Sequence, residues 1–296
     1  RALAYGMMVV SKNENYGVVS LFNGEQVLGF KYSDIVFNQN VKEFFVKGTG
    51  IDKDTVGLIG VDGNVIISPK AYDNISVLSD ELGLYLIEKD GKYGVLNRQG
   101  DIIVYDEFDS IGLSEEIAQE YGYTSEDNRY LIYNKAIIVE NDGMYGLYNL
   151  EGKEILPVSY LGFGCIVNSS NKISNDDKSN KNDNNTNTTQ KRNDRDDGIQ
   201  NVLKMETEVE VNGEIIEVEG IVVESDNLGT SLYGVFDVNS EKLIIPCGCE
   251  RMYSKTKSGV VTNYMQFQGE ELEFSSYIEQ QKNNLYFGNS ERTETN

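Results

Sequence analysis

The chain contains no histidine and no tryptophan among its 296 residues. Without histidine there is no His-based catalytic triad, no histidine metal ligand and no imidazole general base. The sequence also has neither a G-x-S-x-G nucleophile elbow nor a G-x-x-x-x-G-K-[ST] phosphate loop. A carboxylate-pair glycoside hydrolase is the one enzyme hypothesis that these absences leave open. It ranks below the two non-catalytic functions given at the end of this section, because the usual tryptophan platform for sugars is missing and most acidic residues fall in turns or on polar faces. We therefore expect no catalytic residues and no cofactor.

Basic residues are also scarce, since 26 Lys and Arg face 48 Asp and Glu, a formal net charge of −22. Nucleic acid and anionic membrane surfaces are not expected as partners, because both need clustered cations. No apolar run reaches the length of a membrane-spanning helix. The three cysteines, Cys165, Cys247 and Cys249, are interpreted as ordinary thiols, with a redox pair or a Cys165 bridge as alternatives. Cys247 and Cys249 are too closely spaced for a zinc knuckle, so no metal site is predicted.

The sequence contains instead a short motif that is repeated five times. An aromatic residue or Val precedes Gly, a short apolar run follows, and a polar turn leads to a second apolar run. The copies are Tyr16-Gly17-Val18-Val19, Val56-Gly57-Leu58-Ile59, Tyr93-Gly94-Val95-Leu96, Tyr145-Gly146-Leu147-Tyr148 and Tyr233-Gly234-Val235-Phe236. The first two intervals between the glycines are 40 and 37 residues, and the later, longer ones indicate inserted loops.

Each unit is typical of strand, turn, strand, turn, strand. Asn97–Gly100 is predicted to be a hairpin turn ending in Gly, and Asp62-Gly63 has the same role in the preceding repeat. The only three prolines are predicted to occupy the same position in their repeats, just after the second strand, where the missing N–H costs no hydrogen bond of the sheet. They are Pro69, Pro157 and Pro246.

These residues resemble the bacterial WG-repeat family, named for a Trp-Gly pair followed by a turn and an I-P-x-x-Y-D-like segment. Lys92–Gly100 and Met144–Pro157 carry the resemblance, which covers roughly residues 1–166 and 220–265. The chain differs in having Tyr in place of Trp four times and Val once. The resemblance implies a repeat fold and brings no catalytic motif. We expect a cell-surface or secreted location rather than the cytoplasm.

The predicted fold is all-β, made of tandem β-hairpin repeats in a propeller-like ring, with an open β-solenoid as the alternative. The strand Leu3–Val10 starts mid-repeat, so it follows missing upstream sequence or closes the ring. The proposed organisation has four segments and a short helix over Leu113–Tyr123 capped by Ser114. The segments are repeats 1–4 at 1–166, a disordered Asn/Asp-rich insertion at 167–200, an inserted acidic hairpin with the fifth repeat at 201–279, and a disordered tail at 280–296.

The inserted hairpin carries the sharpest local pattern. Residues 205–211 alternate strictly, and Asn212-Gly213 is a two-residue turn that predicts Val211 opposite Glu214. This register places Glu208 opposite Glu217 and Glu206 opposite Glu219 on one acidic face. The face is interpreted either as a solvated outer surface that blunts a sheet edge, or as a docking face for a cationic partner or a weak divalent-ion site.

The repeated tyrosines, Tyr16, Tyr93, Tyr145 and Tyr233, are predicted to be core aromatics between repeats, with a ligand-binding ladder as the alternative. Together these features favour a non-catalytic binding or scaffold module with a protein or other cationic partner. A structural cell-surface spacer without a specific ligand is the alternative. The sequence leaves the oligomeric state open.

Overall fold

The computed structural model describes residues 3, 5–120, 129–163, 167–168, 204–211, 214–258 and 260–281. Strands dominate these residues, which confirms the prediction of an all-β repeat protein. Most of the predicted disordered insertion and tail, Cys165 and the Asn212-Gly213 turn lie outside the described residues. No helix in the described part of the chain is long and apolar enough to cross a membrane.

The chain divides into two compact units. The first comprises Arg1–Leu113 and Ser125–Val158, and the second comprises Ser114–Thr124 and Ser159–Asn296. Short antiparallel hairpins build the sheets of both units. Burial alternates along some strands, such as Asp34–Asn38, whereas others, such as Val56–Gly60, are buried on both faces.

Among its described residues, the first unit holds four sheets, each formed by strands that follow one another along the chain. The first sheet is β1 (Met7–Lys12), β2 (Asn15–Ser20) and β3 (Gln26–Tyr32). The second is β4 (Asp34–Asn38), β5 (Glu43–Lys47), β6 (Val56–Gly60) and β7 (Val65–Tyr72), with a 3-10 turn at Gly50–Asp52. The third is β8 (Asn74–Ser79), β9 (Leu84–Lys89), β10 (Lys92–Asn97) and β11 (Ile102–Phe108). The fourth is β12 (Ser110–Ile111), β13 (Leu131–Ile132), β14 (Ala136–Asn141), β15 (Met144–Asn149) and β16 (Glu154–Tyr160), the last strand running across the unit boundary.

The second unit holds two sheets and two short helices. Helix α1 (Glu115–Glu120) precedes the fifth sheet, which contains β17 (Gly162–Phe163), β19 (Lys204–Val211), β20 (Glu214–Asn227), β21 (Thr230–Asp237) and β22 (Lys242–Cys249). The sixth sheet contains β18 (Val167–Asn168), β23 (Arg251–Lys257), β24 (Val260–Phe267) and β25 (Glu270–Glu273), and helix α2 (Phe274–Gln280) follows. Neither this sixth sheet nor α2 was predicted from the sequence.

In the first, second, third and fifth sheets, the glycine of the repeated pair lies under a bulge in the next strand. In the third sheet Tyr93 pairs with Phe108 and Val95 pairs with Val104. An advance of two residues along β10 therefore corresponds to four residues along β11, which leaves extra residues in β11. The extra residues fold over Gly94, and a Cβ added there would lie 2.6 Å from the carbonyl oxygen of Val104. Equivalent backbone contacts of 2.5–2.8 Å occur at Gly17, Gly57, Gly146 and Gly234. The repeated Gly is therefore a packing requirement of the bulge.

The prolines lie inside the bulged strands rather than after them. Pro157 and Pro246 come one residue after buried Leu156 and Ile245, and both prolines are exposed. A bulge leaves a strand residue without a ladder hydrogen bond, so Pro fits there. Pro69 lies two residues after buried Ile67, one residue later than the other two prolines. Leu58 pairs with Ile67 and Val56 pairs with Tyr72, so the bulge of β7 is one residue longer than that of β22.

The hairpin turn between β10 and β11 is as predicted. The N–H of Gly100 donates to the carbonyl of Asn97, and Gly100 has φ +86°. Its Cα also approaches the preceding sheet, since an added Cβ would lie 3.1 Å from the carbonyl oxygen of Ile66. The turn Gly therefore provides both the left-handed backbone and the close contact between successive sheets.

Asp109, just after β11, links one sheet to the next. Its Oδ2 accepts a hydrogen bond of 2.9 Å from the N–H of Asp142, and Lys92 Nζ lies 2.6 Å from Oδ1. The backbone hydrogen bond and then the lysine lower the pKa of Asp109. Asp73 accepts in the same way from the N–H of Asp90, at 2.7 Å. In both places an Asp directly after an aromatic residue thus orients the hairpin turn of the following repeat.

Helix α1 confirms the helix expected in the third-repeat insertion, over the residues that the structure describes. The Oγ of Ser114 accepts from the N–H of Ile117 at 3.2 Å, which is the predicted N-cap interaction. The remainder of the predicted helix lies largely in residues 121–128, which the structure does not describe.

Candidate functional site

The acidic hairpin is formed by β19 and the first half of β20, with the predicted register. Val211 pairs with Glu214, Glu208 with Glu217 and Glu206 with Glu219. The turn signal in the sequence was sufficient to predict this register, because a slip by one residue would turn every side chain to the other face. Glu206, Glu208, Glu217 and Glu219 are called the acidic face below.

Burial along β20 separates the two faces of the hairpin. Glu217 is exposed, Val218 is 1% exposed, and Glu219 is half-buried. Glu208, across from Glu217, is exposed as well. Val218 belongs to a buried cluster with Phe274 and Ile278 of α2. One face therefore anchors the hairpin to the core of its unit, while carboxylates occupy the other.

A buried carboxylate holds the base of the hairpin. Asp237, at the end of β21, is 1% exposed. Its Oδ1 accepts from the N–H of Glu219 at 3.0 Å, and its Oδ2 accepts from the N–H and Oγ of Ser240 at 3.1 and 2.5 Å. The N–H of Val238 donates to the carbonyl of Glu219 at 3.0 Å. Sequence reasoning missed Asp237, although an Asp shortly before Ser-type turn residues was the available signal.

The four repeat tyrosines lie on four different sheets. Tyr16 is 39% exposed, whereas the other three are half-buried. Their register partners on the preceding strand are Ser11 for Tyr16 and Glu88, Glu140 and Glu224 for Tyr93, Tyr145 and Tyr233. Burial, reinforced by Glu88 and Glu140, raises the pKa of Tyr93 and Tyr145. Tyr93 and Tyr233 also pack against buried clusters of their units.

A buried polar pair joins the second and third sheets. Glu43 is 4% exposed and accepts a hydrogen bond from the hydroxyl of Tyr85, which is fully buried. Arg98 also interacts with the Tyr85 hydroxyl and donates to the carbonyl of Asp80 at 3.3 Å. Burial raises the pKa of both Glu43 and Tyr85. With its donor, the Glu43 carboxylate is satisfied inside the unit, as buried polar groups must be.

The described cysteines lie in β22 and are free thiols. Burial raises the pKa of Cys247 and raises that of Cys249 to about 11. Such thiols are weak nucleophiles, because the thiolate is the reactive form. In the described parts of the chain no group of three or more Cys, Asp or Glu is arranged to hold a metal ion.

Comparisons with known proteins address the repeat. Residues 57–93 match the family model described as "WG containing repeat", and this stretch runs from one repeated Gly to the next repeated Tyr. No curated protein matches the chain. Thirty-four chains of solved structures match. One, described as "Crystal structure of the eukaryotic initiation factor", is 11% identical with a TM-score of 0.29, over 91% of this chain and 85% of that chain. A TM-score this low supports no inference about fold or function.

Proposed function

We propose that this WG-repeat chain is a non-catalytic binding module whose acidic face docks a cationic protein segment. The observation that carries the proposal is the direct pairing of exposed carboxylates, Glu208 with Glu217, across two strands. Like charges directly opposite one another destabilise a hairpin by a few tenths to about 1 kcal/mol. A cationic ligand removes that repulsion on binding.

The mounting of the hairpin supports a binding role. Asp237 fixes the backbone of Glu219, and Val218 packs with Phe274 and Ile278 beneath the carboxylates. The acidic face is therefore held in place before any ligand arrives. Groups that are ordered in advance lose less conformational entropy on association, which increases affinity.

The charge of the whole chain acts in the same direction. A net charge of −22 attracts cationic partners over long distances and raises their association rate. We also propose a cell-surface or secreted location for the module rather than the cytoplasm.

Calorimetric titration of an oligolysine peptide into the full chain tests this proposal. We expect binding at low salt that is nearly lost at about 1 M NaCl, where the Debye length is about 3 Å. The double variant Glu208→Gln/Glu217→Gln should bind at least about fivefold more weakly, since each exposed ion pair contributes up to about 1 kcal/mol. The matched control Glu14→Gln/Glu151→Gln removes two exposed charges from turns of the first unit.

The control variant separates local docking from general attraction. Equal weakening in both double variants would show that only the net charge matters. No binding by the wild-type chain would favour the spacer without a specific ligand. The Gln substitutions relieve repulsion and keep the shape of Glu, so a loss of binding will not reflect unfolding; a thermal melt of each variant verifies this.

A further inference from the structure

The turns that join the last two strands of the first three sheets carry exposed apolar side chains. Leu21 and Phe22 lie in the first turn, Val61 and Val65 flank the second, and Ile102 follows the third. All five are exposed, Phe22 most of all, at 85%. These five side chains are called the turn stripe. Exposed apolar side chains gathered at one end of neighbouring sheets are typical of a protein interaction site.

Close backbone contacts join these turns into one surface. A Cβ added to Gly63 in the second turn would lie 3.1 Å from the carbonyl oxygen of Val27, at the start of β3. A Cβ added to Gly100 in the third turn would lie 3.1 Å from the carbonyl oxygen of Ile66, the neighbour of Val65. The second and third turns therefore pack against the first and second sheets. Successive turns then lie about 10 Å apart, the usual spacing of packed sheets.

Each of the three turns also holds a carboxylate beside the stripe. In every turn the side-chain amide of an Asn donates a hydrogen bond of 2.6–3.1 Å to that carboxylate, and the pairs are Asn23 with Glu25, Asn64 with Asp62 and Asn97 with Asp101. The same local hydrogen bond thus orients a negative charge at three successive points along the stripe.

Cations are fewer than carboxylates around the stripe. The described residues of these turns and of the loops beside them contain two cations, Lys42 and Arg98. The guanidinium of Arg98 donates to the carbonyl of Asp80 at 3.3 Å and interacts with the buried hydroxyl of Tyr85. Asp80 and Glu81 add two exposed carboxylates to the three of the turns. The surface around the stripe therefore carries a net negative charge.

We propose that the turn stripe binds a cationic amphipathic helix of another protein. A helix repeats its face every seven residues over about 10.5 Å, which matches the spacing of the turns. Apolar residues of the helix at i, i+3 or i+4, and i+7 cover the stripe, and flanking Lys or Arg residues face the carboxylates. An extended strand repeats its face every two residues, or about 7 Å, and does not keep this register.

Other occupants fit the stripe less well. A second copy of this chain would bring a net charge of −22 to a negative surface. The insertion at 169–203 is rich in Asn and Asp and poor in apolar residues, so it offers no amphipathic face. The stripe shares no residue with the acidic face, so the inference does not depend on the docking proposed there. Oligolysine has no apolar side chains to cover the stripe.

Calorimetric titration of the full chain with a peptide of three heptads, built from Leu, Lys and Ala with every Leu on one helical face, tests the inference. We expect a peptide of the same composition in scrambled order to bind at least about tenfold more weakly, because it has no apolar face. The double variant Val65→Thr/Ile102→Thr should bind the amphipathic peptide about tenfold more weakly, since two apolar contacts are lost. The matched control Val36→Thr/Val260→Thr changes two exposed apolar residues elsewhere and should keep its affinity.

Thermal melts of the variants guard against misfolding. Thr keeps a β-branched side chain at these exposed strand positions, so both double variants should melt like the wild type. Three results would overturn the inference: no binding of the amphipathic peptide, equal binding of the scrambled peptide, or unchanged affinity in Val65→Thr/Ile102→Thr. A loss of affinity confined to Glu208→Gln/Glu217→Gln would also overturn it, because the peptide would then bind the acidic face, and the docking proposed there would stand.

Discussion

The repeated Gly has no Cβ, and this absence leaves room for the backbone of the next strand to pack directly on it. Gly94 lies under the bulge of β11, where an added Cβ would meet the carbonyl oxygen of Val104 at 2.6 Å and the N–H nitrogen of Asp106 at 2.8 Å. Both atoms belong to backbone, which cannot rotate away. The sequence shows that Gly recurs, but the contact that requires it forms only after β10 and β11 pair.

We therefore expect Gly94→Ala to lower the free energy of unfolding by about 1–3 kcal/mol, the usual cost of overpacking. Gly29→Ala is the matched control, because its added Cβ meets only the side chain of Gln26, at 3.7 Å. Where the backbone allows it, such a change is neutral or stabilises by up to about 1 kcal/mol. Urea denaturation of both variants measures the difference. Equal free energies of unfolding would contradict the role given to the bulge.

Other residues show where sequence reasoning stops. The N-cap of α1 at Ser114 was predictable, because its signal is local. The contact of Asp237 with Ser240 has a similar local signal, but its hydrogen bond to the N–H of Glu219 has none, since Glu219 is brought close only by the pairing of β20 with β21. The prediction that Pro69 occupies the same position in its repeat as the other two prolines was wrong, because the length of a bulge depends on the pairing of two strands.

At the scale of elements, Glu43 of β5 and Tyr85 of β9 tie two sheets together through a buried hydrogen bond. Burial raises the pKa of Glu43 above its value in the unfolded chain, so the folded state binds the proton more tightly. The stabilising contribution of Glu43 is therefore fully present below its unfolded pKa and is lost as pH rises through its folded pKa.

We expect the wild type to lose stability relative to Glu43→Gln as pH rises from the unfolded pKa of Glu43 through its raised folded pKa. Urea denaturation of both proteins across that range measures the difference in unfolding free energy. Glu81→Gln, a change at an exposed residue of the loop between β8 and β9, controls for net charge. A difference that stays constant with pH, or that changes equally in the control, would contradict a tightly bound proton on Glu43.

Elements were predictable where strand and turn signals are strong. The Asn212-Gly213 turn signal was enough to give the register of β19 and β20. The sixth sheet was missed because β23, β24 and β25 contain no Tyr-Gly pair. Helix α2 was missed as well, since its stability comes from packing Phe274 and Ile278 into the core rather than from its own seven residues.

At the scale of the whole molecule, repetition and charge are the two properties that the sequence conveys best. The spacing of the Tyr-Gly pairs predicts an all-β repeat protein, which the structure and the family match confirm. The choice between a closed ring and an open solenoid stays a prediction, because repeat spacing does not determine the rotation from one unit to the next. The ligand likewise depends on surfaces that no motif marks.

Amide hydrogen exchange along the full chain, with and without oligolysine, tests the central claim most directly. A ligand that binds the folded hairpin lowers its opening equilibrium by mass action. We expect exchange to slow in β19 and the first half of β20, with no change in β23 and β24, and the effect to weaken in Glu208→Gln/Glu217→Gln at the same peptide concentration. Slowed exchange elsewhere, or unchanged exchange in the hairpin when the peptide is bound, would contradict the acidic face as the docking site.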